Sequence, residues 1–174
     1  HQIMIDAHEP IKPTGIRRTW PNMMTREGVR GQEWNAWSEG NPPSHTCILP
    51  FTRMLAGPLD YTPGIFDVLF EEYKQPERVH TTLAHQLALF VVLYSPLQMA
   101  ADLIENYEGH PAFAFIRDVP CNWDDQEVLN GAIGEYITLA RKQGDDWYIG
   151  SITNEEGREL TLTLDFLDED KEYQ

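Results

Sequence analysis

The stretch from Val79 to Leu103 limits the possible folds more than any other part of the chain. Leu83, Leu87, Phe90, Val91, Tyr94 and Leu97 recur there at helical spacing, and the middle of the segment is apolar nearly all round. A helix without a polar face must be covered on every side, so the spacing predicts a buried helix over 79–103. Pro96 is expected to kink or end its regular part, because proline lacks an amide donor and clashes with the preceding turn. The apolar run falls well short of the roughly 20 residues that cross a bilayer.

After Asn106 the period changes from helical to alternating. Tyr136–Ala140, Trp147–Ile152 and Leu160–Leu164 read as antiparallel strands, with hairpin chemistry in Gln143-Gly144-Asp145-Asp146 and Asn154-Glu155-Glu156-Gly157. A β region is therefore expected to begin near residues 116–125. Toward the other end, Ile3-Met4-Ile5 reads as a buried strand that delivers Asp6-Ala7-His8-Glu9 into a loop marked by Pro10. A second strand is expected around Asn22-Met23-Met24. Between Arg30 and Pro63 the density of Gly, Pro and aromatic residues predicts long loops, interrupted by Ile48–Phe51. With no Met at its start and strand-like sequence from the first residues, the chain reads as a piece of a longer protein.

Charge excludes some partners. With 28 Asp and Glu against 13 Lys and Arg, the formal net charge is −15, and the basic residues form no run, so neither nucleic acid nor a membrane surface is an expected partner. Cys47 and Cys121 are far apart and fit neither a disulfide framework nor a zinc motif.

The candidate chemistry lies in three glutamates, Glu9, Glu27 and Glu33, each in loop-like sequence after a strand or within a Gly-rich connection. Paired carboxyls perform general acid and base work, but in so acidic a chain solvated or salt-bridged glutamates are the competing reading. Longer strings are more specific. His8-Glu9-Pro10-Ile11-Lys12-Pro13-Thr14-Gly15, Arg18-Thr19-Trp20-Pro21-Asn22 and Arg26-Glu27-Gly28-Val29-Arg30-Gly31-Gln32-Glu33 resemble glycoside hydrolase family 97 in order and spacing. So do Leu49–Pro58, Tyr61-Thr62-Pro63-Gly64 and Tyr94–Leu103.

The resemblance implies an α/β plus all-β fold. Residues 1–115 would be the last strands and helices of a partial (β/α)8 barrel, and 116–174 the start of a carboxy-terminal antiparallel β domain. It implies a parent enzyme that cleaves α-glucosidic bonds, with Glu33 as general acid and Glu9 as the general base of the inverting branch. Glu9, Glu27 and Glu33 would give part of a calcium shell, completed from outside this chain, and His8 would bind a sugar hydroxyl. The substrate would be an α-linked glucoside or oligosaccharide, and the location the bacterial periplasm. The retaining α-galactosidase branch, which uses an Asp nucleophile from outside this segment, is one alternative, and a non-catalytic carbohydrate-binding or interaction module is another. Trp20, Trp34 and Trp37 are candidates for stacking on a sugar, and Lys12 and Arg18 for hydroxyl contacts. By itself the piece is expected to be inactive, and to form a homo-oligomer through exposed sheet edges.

Overall fold

The computed structural model describes residues 2–10, 12–70 and 76–173. In chain order it contains strand β1 (Ile5–Ala7), helix α1 (Ile16–Thr19), strand β2 (Met23–Arg26), a 3-10 helix at Gln32–Ala36, and helix α2 (Pro43–Ile48), which runs on into 3-10 turns at Leu49–Phe51 and Arg53–Ala56. Helices α3 (Leu83–Val92), α4 (Ile104–Tyr107) and α5 (Phe113–Asp118) follow, then strands β3 (Asp125–Ala132), β4 (Tyr136–Gln143) and β5 (Asp146–Thr153).

The strands form two sheets. β1 and β2 pair in parallel, Ile5 opposite Met23 and Ala7 opposite Arg26, with a register shift after Ile5. Two further bonds continue this order: the Asp60 N–H donates to the Arg26 carbonyl at 3.0 Å, and the Leu59 N–H to the Tyr94 carbonyl at 3.0 Å. Residues 59–60 therefore lie beside β2, and Tyr94 lies beside Leu59. β3, β4 and β5 form an antiparallel sheet in that order, and Gly144, at φ 58°, supplies the left-handed residue of the tight β4–β5 hairpin.

Helix α3 joins the two halves. Leu89, Val92 and Leu93 pack with Cys47, Leu49, Leu59 and Tyr61 on one side and Ile137, Leu139 and Ile152 of the antiparallel sheet on the other. Each such side chain contributes roughly 1.5–3 kcal/mol on burial. Gly150 allows the close approach, because a Cβ there would lie 2.7 Å from the Cβ of Val91. Arg141, 5% exposed, donates from Nε to the Val91 carbonyl at 2.6 Å and from Nη1 to Gln126 Oε1 at 2.7 Å. It thus satisfies a carbonyl that the end of α3 would leave orphaned. Burial pushes its guanidinium down to about 10, so it remains charged at neutral pH.

The buried helix is shorter than its periodicity predicts. Thr82 caps it, accepting the His85 N–H at 3.2 Å, and at Leu93 the backbone turns extended (φ −97°, ψ 108°). The apolar residues beyond Val92 keep the spacing, Leu93 buried and Tyr94 and Leu97 half-buried, yet the Tyr94 carbonyl accepts the Leu59 N–H outside any helix. Tyr136–Ala140 and Trp147–Ile152 lie within β4 and β5 as expected. Leu160–Leu164 does not form a strand: alternation supplies a pattern of side chains but no neighbour, and the segment has no ladder partner among the described residues. The third strand is β3, whose sequence lacks clean alternation because it lies at an edge and is largely exposed.

His85 makes the stability of this core depend on pH. It is buried with Nε2 2.8 Å from Thr46 Oγ1, and burial pushes its pKa down from 6.5 to about 4. Between those values the unfolded chain binds a proton that the folded chain refuses, so stability falls as pH drops from about 6.5 toward 4. The expected loss is about 3 kcal/mol in that window. Urea denaturation of wild type and His85→Gln at pH 7, 5.5 and 4 checks this: the difference between the two should shift by that amount, and parallel curves would exclude the mechanism.

Candidate active site

Neighbouring extended segments bring their carboxy-terminal ends to one rim. His8 and Glu9 follow β1, Glu27 follows β2, and Asp60 is bonded to Arg26 at the end of β2. Parallel strands place such ends side by side, so side chains distant in sequence converge.

Glu27 anchors the rim. It is 8% exposed, its N–H donates to the Ala7 carbonyl at 3.0 Å, and its own carbonyl accepts from Arg53 Nε at 2.9 Å. Its Oε2 accepts the Glu9 N–H at 2.9 Å. Glu9 has φ 48°, a left-handed conformation that costs a non-glycine residue on the order of 1 kcal/mol and is sustained here by that bond.

Glu33 lies in the first turn of the 3-10 helix and reaches Glu27. Burial pushes its carboxyl above the usual carboxylate range; the charge of Glu27 and a carboxyl–carboxyl hydrogen bond act the same way, while its own backbone N–H and His8 oppose them. Gly31 makes room for this arrangement, since a Cβ there would collide with the Glu33 carboxyl oxygens. Beside it, Gln32 donates to Gln86 Oε1 of α3, which also accepts from the N–H groups of Gly64 at 3.1 Å and Ile65 at 3.3 Å. The buried helix thus sets the position of the turn that carries Glu33.

His8 is surrounded by carboxyls. Its Nε2 lies 2.6 Å from Asp60 Oδ2 and 3.6 Å from Asp6 Oδ2, and its Nδ1 lies 3.9 Å from Glu27 Oε1. The bond to Asp60 raises the pKa of the imidazole, against the effect of burial. Asp6 is pushed up to about 7, first by burial and then by a hydrogen bond to Asp60. Among the described residues, Asp6, His8 and Asp60 form the group whose potential ligand atoms all lie within 4.8 Å of one another.

His8, Glu9, Glu27 and Glu33 line one cavity of about 1260 Å³, together with Trp34, Trp37, Asp67, Asp102 and Glu105. No Lys or Arg lines it among the described residues. Trp34 and Trp37 meet edge to face with ring centroids 6.4 Å apart, and the Arg30 guanidinium lies 4.8 Å from the centre of the Trp34 ring. All four predicted chemical residues and two of the three tryptophans therefore share one space. Trp20 is 62% exposed and lies outside that lining, while Lys12 and Arg18 line a separate cavity with Arg17 and Arg53.

Sequence reasoning missed Asp6 and Asp60. Asp6 had a signal, since it stands two residues before His8 and so on the same side of the strand. Asp60 precedes Tyr61-Thr62-Pro63-Gly64 with no spacing that marks it.

A carboxyl pushed above the usual carboxylate range and a second carboxyl on the same cavity are the parts of an acid/base pair, and a lining whose charged groups are carboxyls, set among apolar and aromatic side chains with no Lys or Arg among the described residues, favours cations and neutral hydroxyl-rich ligands. Residues 122–174 match the family model "Glycosyl-hydrolase 97 C-terminal, oligomerisation", and residues 1–29 match "Glycoside hydrolase 97". The chain is 38% identical to a "Retaining alpha-galactosidase" of Bacteroides thetaiotaomicron, over 99% of this chain and 27% of that protein. It is similar to a glycoside hydrolase family 97 enzyme of Pseudoalteromonas sp. strain K8 solved in complex with acarbose, at 55% identity and TM-score 0.91, over 98% of this chain and 27% of that one. A variant enzyme from the same strain solved with panose gives 54% identity and TM-score 0.90, at the same coverage. The chain spans about a quarter of the length of these relatives.

Proposed function

Because the chain belongs to glycoside hydrolase family 97, we propose that the protein carrying it hydrolyses α-glucosidic bonds with inversion, using Glu33 as general acid and Glu9 as general base. One observation carries this reading: Glu33, whose carboxyl burial pushes above the usual carboxylate range, lines the same cavity as Glu9 and a pair of tryptophans. Glycoside cleavage needs one carboxyl to protonate the leaving oxygen and another, on the opposite face of the sugar, to activate water. Trp34 and Trp37 offer apolar ring faces to the sugar, and His8 Nδ1 offers a partner to a hydroxyl.

The parallel pairing of β1 with β2, and the backbone bonds that set Asp60 beside Arg26 and Leu59 beside Tyr94, support reading residues 1–115 as the last part of a (β/α)8 barrel, whose sites lie at the carboxy-terminal ends of strands. Residues 116–174 are then the start of a β domain packed on α3. The match of residues 122–174 to an oligomerisation domain of the family, and the exposure of Val128 (61%) on the edge strand β3, support assembly of copies through this region.

Calcium fits the donor chemistry of the cavity. Glu9, Glu27 and Glu33 are hard oxygen donors, Glu27 is already shared between the other two, and no basic side chain lines the space among the described residues. These three would hold part of its shell, and the bound cation would supply electrostatic stabilisation near the reacting bond.

The test uses the full-length protein, nitrophenyl α-glucoside and nitrophenyl α-galactoside, with NMR of the first anomer released. Faster cleavage of the glucoside with β-glucose appearing first, and loss of activity in chelator restored by calcium, are expected. The 38% identity to a retaining α-galactosidase supports the rival reading, against 54–55% to enzymes solved with panose and acarbose. A preference for the galactoside with the α-anomer first would establish that rival.

A further inference from the structure

We infer that Asp60 is a positioning residue that acts through His8, fixing the imidazole so that Nδ1 faces the substrate cavity. This rests on the functional reading above. Asp60 has a side chain 0% exposed and is held at three points. Its N–H donates to the Arg26 carbonyl at 3.0 Å, its Oδ1 accepts the Thr62 N–H at 3.1 Å, and its Oδ2 takes Nε2 of His8 at 2.6 Å. Thr62 has φ 56°, so the turn that aims its N–H at the carboxylate is itself a special backbone conformation.

His8, by contrast, has a side chain 47% exposed and, among the described residues, no second side-chain hydrogen bond. Its other carboxyl neighbours, at 3.6 Å and 3.9 Å, are beyond hydrogen-bond length. One ring nitrogen is therefore committed to a buried acid, which selects the tautomer or charged form carrying a proton on Nε2, and the other is left toward the cavity that His8 lines. The same logic, a buried carboxylate fixing the orientation of a histidine, operates in catalytic triads. Here the oriented histidine would contact a sugar hydroxyl and take no proton from the reacting bond.

The experiment is a double-mutant cycle in the full-length protein with nitrophenyl α-glucoside. Asp60→Asn is expected to lower kcat/KM by about 10- to 100-fold, the effect of losing a charge-assisted hydrogen bond. His8→Ala should lose at least as much, and the double variant no more than His8→Ala alone, because Asp60 has nothing left to position. A merely structural aspartate would instead add its full loss on top of His8→Ala, and that result would overturn the inference. If Asp60→Asn does not fold, Asp60→Glu enters the same cycle, with a smaller loss and the same lack of additivity expected; full additivity again overturns it. If the wild-type protein cleaves none of the nitrophenyl α-glycosides, the functional reading fails separately. The ring of His8 in crystals of Asp60→Asn then decides: a displaced or rotated ring supports the positioning role, and an unmoved ring refutes it.

Discussion

Glu33→Gln in the full-length protein should lower kcat on substrates with poor leaving groups by about 10²- to 10⁴-fold, the usual contribution of a general acid, while sparing activated aryl glycosides far more. A sugar alkoxide departs only if protonated as the bond breaks, whereas a nitrophenolate needs little help. Glutamine keeps the shape of the side chain, so the cavity beside Gly31 and Glu27 is preserved and the comparison isolates the proton. Steady-state kinetics on an α-linked disaccharide and on nitrophenyl α-glucoside measure the two losses. Equal losses on both would remove Glu33 from the acid role.

The pH profile gives an independent sign. Burial, aided by Glu27, pushes the Glu33 carboxyl above the usual carboxylate range, and a calcium ion held by the same carboxyl would act in the opposite direction. Activity that needs this proton is present below the raised pKa and lost as pH climbs through it. The alkaline limb on the disaccharide therefore belongs to Glu33, and what activity remains in Glu33→Gln on the aryl substrate should lack that limb.

Much of this site could be read from the residue string, and the reasons are local. Ile3-Met4-Ile5 before His8-Glu9-Pro10 predicts a buried strand that hands polar groups to a loop; the strand lies two residues later, at Ile5–Ala7, so it takes in Asp6, and Ile3, Met4 and Ile5 are exposed, because apolar character alone supplies neither register nor cover. The hairpin at Gly144 was equally legible, because positive φ in a two-residue turn leaves few choices of residue. Helix length was not legible. Full burial at Leu93 and partial burial at Tyr94 and Leu97 favour apolar side chains whatever the backbone conformation, so the period ran past the true end at Val92. Leu160–Leu164 failed for the converse reason: alternation describes a face, and a strand also needs a neighbour. Asp60 stayed hidden because a fully buried acid has no sequence pattern; its role exists only through a contact with a residue 52 positions away.

The 174-residue chain alone should show no measurable glucosidase activity and should bind calcium only weakly, even when folded. Ile3, Met4 and Ile5 are 60%, 63% and 39% exposed at the start of a parallel pair, although parallel strands are normally covered on both faces. Sheet edges in that state pair with other chains, so a self-associated species is expected on gel filtration. The cavity of about 1260 Å³ is larger than the roughly 300–1,000 Å³ of a typical ligand pocket, which leaves the sugar unenclosed and water in contact with the carboxyls. Calcium takes six to eight oxygen ligands, more than Glu9, Glu27 and Glu33 supply between them. Rate depends on two carboxyls held within about 0.5 Å of their working positions by rigid surroundings, whereas Glu9, among the described residues, is tied down through its backbone N–H to Glu27 and not through its carboxyl. The assay incubates the purified chain with nitrophenyl α-glucoside and excess calcium, beside the same chain carrying Glu33→Gln. Turnover that survives purification and disappears in the variant would show that these residues alone hold the acid and base in place.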